Sequence, residues 1–223
     1  MRIEEISIDS KKYPQKLRNI YDPPKKLYVL GNKELLNKFG IAIVGSRQAT
    51  QYGKMNSYNV AKELSKNGVV IISGLAVGID SYSHWGAIKA FDMNWNSAGT
   101  VAVLGSGIDN IYPKENIKLA KNIIKLGGCI ISEYSIGTKP ERLHFPQRNR
   151  IISGISNGVL VVEATKKSGA LITADFAIEQ GKDVYAIPGD INRKESEGCN
   201  ELIKDGAILV TSYKEILENC IEK

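Results

Sequence analysis

The chain of 223 residues carries a formal net charge of +6, with 43% hydrophobic and 24% charged residues, a composition that supports a folded core and excludes disorder as the main state. No run approaches the ~18 apolar residues of a membrane helix, and the opening MRIEEISIDSKK has acids where a signal peptide has its apolar stretch. Three scattered cysteines, Cys129, Cys199 and Cys220, suit neither a disulfide framework nor a zinc site, so the expectation is a cytoplasmic protein with no metal and no cofactor.

In chain order, residues 1–38 differ from the remainder of the chain. They carry Pro14, Pro23 and Pro24, many charges and little periodicity, and read as a short helix, a turn and an extended segment ending at Leu27–Gly31. Such a piece is too small to hold its own core and is expected to be an N-terminal extension packed on a main domain of residues 39–223. From residue 40 onward, short β-branched apolar runs recur at Ile41–Val44, Val69–Ile72, Val101–Leu104, Cys129–Ile131, Val159–Val162, Val184–Ile187 and Ala207–Val210. Runs without strict alternation are the pattern of strands buried on both faces. Amphipathic helical patterns separate them, for example Met55, Tyr58, Ala61 and Leu64 before Asn67-Gly68, and Ile117, Ala120 and Ile124 before Gly127-Gly128. The predicted class is α/β: an extended Rossmann-like, largely parallel, doubly wound sheet with helices on both faces.

Ligands of such sheets bind beyond the carboxyl ends of the strands. The residues there include Gly45-Ser46-Arg47, Ser73-Gly74, Gly78-Ile-Asp80, Gly105-Ser106-Gly107, Ser132-Glu133, Glu163-Ala-Thr165 and Pro188-Gly189-Asp190. Several glycine- and hydroxyl-rich loops on one edge point to a ligand surface. In Gly45-Ser46-Arg47 the backbone amides and the guanidinium suit an anion; the competing reading is a tight turn with a surface arginine. Lys166, Ser168 and Gly169 open a helix after a strand and suit a phosphate, or simply cap that helix. Gly105-Ser-Gly107 begins like a dinucleotide fingerprint but Asn110 replaces the third glycine, so no nicotinamide or flavin is expected. His84 follows Asp80 by four residues and is read as structural, with Asp80 as the helix cap.

Of 30 basic residues only seven are arginines, and Arg142, Arg148 and Arg150 fall within nine residues around His144 and Phe145. A ring flanked by cations suits single-stranded nucleic acid, with bases stacking on the face and phosphates meeting guanidiniums. The alternative is that Phe145-Pro146 anchors a loop to the sheet. Arg148, Asn149 and Arg150 either supply field to the strand or brace the loops through Glu133 or Glu163.

Gly45-Ser-Arg47, Ser73-Gly-Leu-Ala-x-Gly-Ile-Asp80-x-x-x-His84, Val103-Leu-Gly-Ser-Gly-Ile-Asp109-x-x-Tyr112-Pro113, Ser132-Glu133, Phe145-Pro-x-Arg-Asn-Arg-Ile-Ile152, Val162-Glu-Ala, Ser168-Gly-x-x-x-Thr173-Ala and Pro188-Gly189 together resemble the DprA/Smf family of bacterial DNA-processing proteins, from about residue 13 to residue 210. The resemblance implies a homodimeric, non-enzymatic protein that binds single-stranded DNA and aids RecA loading during natural transformation. It places the strand at Gly45, Ser46 and Arg47 with Arg142 and Phe145, and dimerisation in the Asn200–Val210 region, with Asn200, Ile203 and Leu209 as candidates. Many members carry a helical N-terminal domain or a C-terminal winged helix, for which this sequence has no room, and Phe91–Gly99 fits the family pattern poorly. A rival reading is a nucleotide hydrolase of the phosphoribohydrolase-like Rossmann class, seating a nucleoside monophosphate at Ser168–Thr173 with Glu163 or Glu133 as acid–base. The Pro-Gly-Gly-x-Gly-Thr-x-x-Glu motif of that class is missing.

Overall fold

A computed structural model describes residues 2–93 and 97–221, so Asn94, Trp95 and Asn96 of the poorly fitting Phe91–Gly99 stretch lie outside the described residues. Among the described residues nine strands form one sheet in the order β1-β2-β6-β5-β4-β3-β7-β8-β9. The parallel body consists of β3 (Gly40–Val44), β4 (Val70–Ser73), β5 (Thr100–Leu104), β6 (Cys129–Ser132), β7 (Gly158–Val161), β8 (Asp183–Ala186) and β9 (Ile208–Leu209). Each of the seven apolar runs in the sequence overlaps one of these strands, with ends that differ by no more than one residue.

Strands of this kind are apolar throughout because both faces are covered, and successive residues serve opposite faces. Ala42 and Val44 of β3 join one cluster with residues of α1 (Gln15–Arg18), α5 (His144–Ile155), α6 (Gly169–Glu179) and α7 (Lys194–Lys204). Ile41 and Ile43 join the other face, which α2 (Gln51–Lys66), α3 (Ile79–Met93) and α8 (Tyr213–Ile221) cover. The α4 helix (Ile117–Lys125) extends that second layer over β5 and β6. The fold is thus a doubly wound α/β sheet of the Rossmann type.

Residues 1–38 contribute strands of their own. β1 (Glu4–Ser7) pairs antiparallel with β2 (Lys26–Gly31), and β2 pairs antiparallel with β6. Leu17 of α1 and Leu27 of β2 have no exposed surface, and burying each is worth roughly 1.5–3 kcal/mol. β1 has no apolar signature: the sequence Glu-Glu-Ile-Ser buries only Ile6.

The chain winds outward from β3 through β4 and β5 to β6, then returns by α5 to place β7 on the other side of β3. This reversal opens a crevice between the carboxyl ends of β3 and β7. The α5 helix that makes the return is held at its far end by Lys182, whose Nζ donates to the carbonyls of Ser153, Gly154 and Ser156. These are the orphan carbonyls at a helix C-terminus, where a cation is favoured.

Beneath the outgoing layer, His84 of α3 is fully buried. Thr100 Oγ1 donates to Ile71 O at 2.7 Å, so His84 Nδ1 supplies the proton of its own 2.7 Å bond to Thr100. His84 is structural, but Asp80 is not the cap: it lies inside α3, and its Oδ2 accepts from the amides of Gly74 and Ala76. Burial, with the Arg148 charge, pushes His84 down to about 3. An unfolded histidine titrates near ~6.5, so between that pH and about 3 the unfolded chain holds the extra proton and stability falls as pH falls. Denaturant titrations across this window should show the parent losing up to about 1.4 kcal/mol per pH unit more than His84→Gln. Parallel slopes in the two proteins would refute a neutral buried His84.

Candidate functional site

At the reversal point lies a cavity of about 720 Å³. The β3–α2 loop supplies Gly45, Ser46, Arg47 and Gln48, and the β7–α6 loop with the start of α6 supplies Thr165, Ser168, Gly169 and Thr173. Arg142 and the α5 residues Phe145, Arg148 and Asn149 form a further wall, with Asp80 and Tyr112.

The α5 helix corrects the picture of a basic-aromatic loop. Its third residue is Pro146, tolerated because the first-turn amides have no partner within the helix. Helical spacing then separates the cluster. Phe145, Arg148, Asn149 and Ile152 share the face turned to the cavity, while Arg150 points elsewhere. Its guanidinium meets Glu133 through two bonds of 2.8 and 2.7 Å and Asp22 at 3.0 Å. Arg150 therefore braces the end of β6 against the N-terminal segment and contributes little free charge. Arg148 is a brace too, lying under the crevice floor. Its Nη1 donates to Gly74 O at 2.7 Å and to Val103 O. Burial pushes Arg148 down to about 10, which Asp80 counters and Arg47 reinforces, so it remains a cation at neutral pH.

Arg47 and Arg142 are the opposite case. Both are exposed on the cavity rim, and among the described residues no hydrogen bond or salt bridge engages either guanidinium. The Arg47 guanidinium carbon lies 5.5 Å from the centroid of the Phe145 ring. Phe145 is half-buried, with Tyr112 at 5.5 Å, and a Cβ on Gly105 would come 3.0 Å from its ring edge. The ring and the guanidinium, 98 residues apart in sequence, thus share one rim.

The glycine loops serve the site differently from the amide-lined cradle expected of them. Ser46 N donates to Glu163 O at 2.7 Å, and Ser46 Oγ accepts from Gln48 N. The Ser46 amide is therefore committed to the fold and does not face an anion. Gly45 packs on Ile79 and Glu163 O, and Gly74 lies against Arg148, where a Cβ would fall 2.6 Å from Nη2. Gly107 N bonds Thr138 O at 2.9 Å, so this amide too is committed to the fold. Close packing is what these glycines permit.

At the α6 start, Ser168 caps the helix by accepting from Ala170 N at 3.3 Å, and Asn149 Nδ2 donates to Gly169 O at 3.2 Å. Ser168 and Gly169 face the cavity; Lys166 is exposed and lies outside its wall. Neither carboxylate named for hydrolysis is available there. Glu163 accepts from Thr50 N and Oγ1 at 2.8 and 2.6 Å, not from an arginine, and Glu133 is held by Arg150. Among the described residues no cluster of His, Cys, Asp and Glu could hold a metal, and Cys129 and Cys199 are buried and unpaired. No helix among the described residues is long and apolar enough to cross a membrane. At the sheet edge, Leu209 is exposed on the short β9 and Ile203 is partly buried against the core. Asn200 closes on Gly189, accepting from its N and donating to its O. Tyr112 and Gln48 also belong to the cavity wall, although neither stands out in the sequence as a site residue. Tyr112 precedes Pro113 in the loop after β5, an exposed aromatic that the pattern of helices and strands leaves unassigned.

These features define an extended Rossmann-type α/β protein whose switch-point crevice pairs uncommitted guanidiniums with an aromatic ring. The family model described as DNA recombination-mediator protein A matches residues 4–221, and the chain belongs to that family. It is 45% identical over 222 residues to DNA processing protein DprA of Bacillus subtilis (strain 168), covering 99% of this chain and 72% of the relative. The X-ray structure of DNA processing protein A from Streptococcus pneumoniae has a TM-score of 0.89 at 42% identity, covering 98% of this chain and 74% of that one. DNA processing protein A from Helicobacter pylori, whose structure is described as giving insights into a unique single-stranded DNA binding mode, has a TM-score of 0.85 at 31% identity, covering 99% and 97%.

The division between bracing and free arginines is open to test by thermal melting. Arg148→Met removes the guanidinium's bonds to Gly74 O, Val103 O and Asn149 Oδ1 and leaves Asp80 buried without its neighbouring cation, which should cost about 3 kcal/mol or more. Arg47→Ala should leave the melting temperature within the small range of surface substitutions, about 0.5 kcal/mol.

Proposed function

We propose that this protein binds single-stranded DNA without sequence preference in the switch-point crevice and acts as a recombination mediator. The observation that carries the reading is the Arg47–Phe145 pair, 5.5 Å apart on the rim of a cavity that also holds Arg142. Arg47 is exposed and free to swing onto a phosphate, and doing so uncovers the Phe145 ring for a base. Arg142 adds charge at the entrance, and the α6 start at Ser168 and Gly169 offers a further place for a phosphate. The wall is polar and cationic, with Asp80 as its one carboxylate among the described residues, and Asp80 is engaged by loop amides. A ring and guanidiniums grip any base and any phosphate alike, the basis of binding without sequence preference.

The family relationship extends the proposal. The protein hands bound strands to a RecA-type recombinase during DNA uptake, in the cytoplasm and as a homodimer. Its dimer contact lies along the Asn200, Ile203 and Leu209 edge, and residues 1–38 act as an extension of the 39–223 domain. The H. pylori relative, with its described single-stranded DNA binding mode, supports the ligand class.

Titration of oligothymidine at several salt concentrations tests the crevice. Binding should weaken with salt, with a slope of about −0.7 per phosphate neutralised, and Arg47→Ala should weaken binding and flatten that slope. Phe145→Ala should cost about 1–3 kcal/mol of binding. Equal affinity for parent and Arg47→Ala defeats the assignment; lost stability with unchanged DNA affinity in Phe145→Ala makes the ring a packing residue.

A further inference from the structure

A second cavity, of about 700 Å³, lies between α2 and α3 and shares Arg47 and Gln48 with the crevice. Beyond Arg47 its wall carries Lys54 and Tyr58 from α2, and Tyr82, Trp85 and Lys89 from α3. Helical spacing puts each set on one face: positions i and i+4 on α2, and i, i+3 and i+7 on α3. The helices approach closely because Gly86 has no side chain; a Cβ there would collide with Tyr58 O. The two rows therefore face each other, and Lys54 Nζ lies 5.8 Å from the centroid of the Tyr82 ring. Tyr82 and Lys89 are exposed, Tyr58 and Trp85 half-buried. Against three cations the described wall holds one carboxylate, Asp92.

This is the chemistry of the crevice repeated on the far side of Arg47: an exposed ring with a movable cation over it, as Arg47 lies over Phe145, and, among the described residues, no salt bridge from an acid to Lys54 or Lys89. We propose that the α2–α3 cavity is a second cradle for the same DNA strand, receiving the nucleotides next to those held at Phe145. A base stacks at Tyr82, Lys54 and Lys89 meet the flanking phosphates, and Arg47 is the ridge over which the strand passes. This inference rests on the single-stranded DNA reading of the crevice and sets the minimum length of strand that the protein grips fully.

Fluorescence anisotropy with the full chain separates the two. A thymidine trinucleotide reaches only the crevice, whereas a long oligothymidine reaches both cavities. Tyr82→Ala should weaken the long oligonucleotide by roughly five- to a hundredfold and leave the trinucleotide unchanged. Lys89→Glu, on an exposed helix position, should flatten the salt slope for the long strand alone. Arg47→Ala should weaken both lengths. If both α3 variants bind the long strand as the parent does, or weaken both lengths equally, the second cradle does not exist, while the Arg47→Ala result still reports on the crevice. Failure of the parent to bind either length removes the single-strand reading itself.

Discussion

The guanidinium of Arg148 lies beneath the floor of the crevice, and the geometry above it depends on how that charge is satisfied. A buried ion costs several kcal/mol unless the protein replaces its water. Here Gly74 O and Val103 O accept from it, and the Asp80 carboxylate is near enough to influence both groups. Meeting those partners requires three separate segments to converge: the loop after β4, the end of β5 and the α5 helix. It also requires glycine at position 74, because a side chain there would occupy the space of the guanidinium. With α5 pinned at Arg148, and at its far end by Lys182, rotation of the helix is prevented. Phe145, one turn before Arg148, is thereby held at the rim.

The same constraint explains why arginines that cluster in sequence do different work. On a helix, residues 148 and 150 point in directions about 200° apart. One goes under the floor and the other to Glu133 and Asp22, where its charge is spent within the protein. The charge left for a polyanion comes from Arg47 and Arg142, which the fold exposes and leaves unpaired among the described residues. A count of basic residues would overstate the field at the crevice. Which acid each guanidinium finds in three dimensions decides its role.

Much of this is legible in the sequence, and the parts that are not share a cause. The central strands announce themselves because burial on both faces demands unbroken β-branched runs such as Ile41–Val44 and Val159–Val161. β1 gives no such signal, since an edge strand buries one side only and Glu4 and Glu5 dilute it. The α5 start has the look of a loop because Pro146 and the basic residues mask its period. Residue type marks Arg47 and Phe145 each as a candidate contact and the family resemblance puts them on one strand-binding surface, whereas the use of the glycines is not legible in the sequence. A glycine that admits a ligand and one that admits a neighbouring loop look alike in sequence, and only the bond from Ser46 N to Glu163 O tells them apart. Tyr82, Trp85 and Lys89 are hidden for a similar reason. An aromatic pair at helical spacing in α3 reads as core until the structure shows Tyr82 to be exposed.

The β3–α2 loop connects these observations. It is clamped on one side by Glu163, whose carbonyl takes Ser46 N and whose carboxylate takes Thr50. On the other side Ile79 N donates to Ser46 O, and Gly78, at φ +81°, brings the α3 start so close that a Cβ would strike the same oxygen. The backbone at Ser46 is thus fixed between the two cavities while the Arg47 side chain beside it stays free. A rigid mount limits the ordering cost of binding to one side chain, and a mobile cation at its tip can track whatever phosphate arrives. That combination suits a ligand whose backbone repeats and whose bases vary. It also places the most consequential free charge of the crevice on the shared border of both cavities, where a strand crossing from one to the other must pass it.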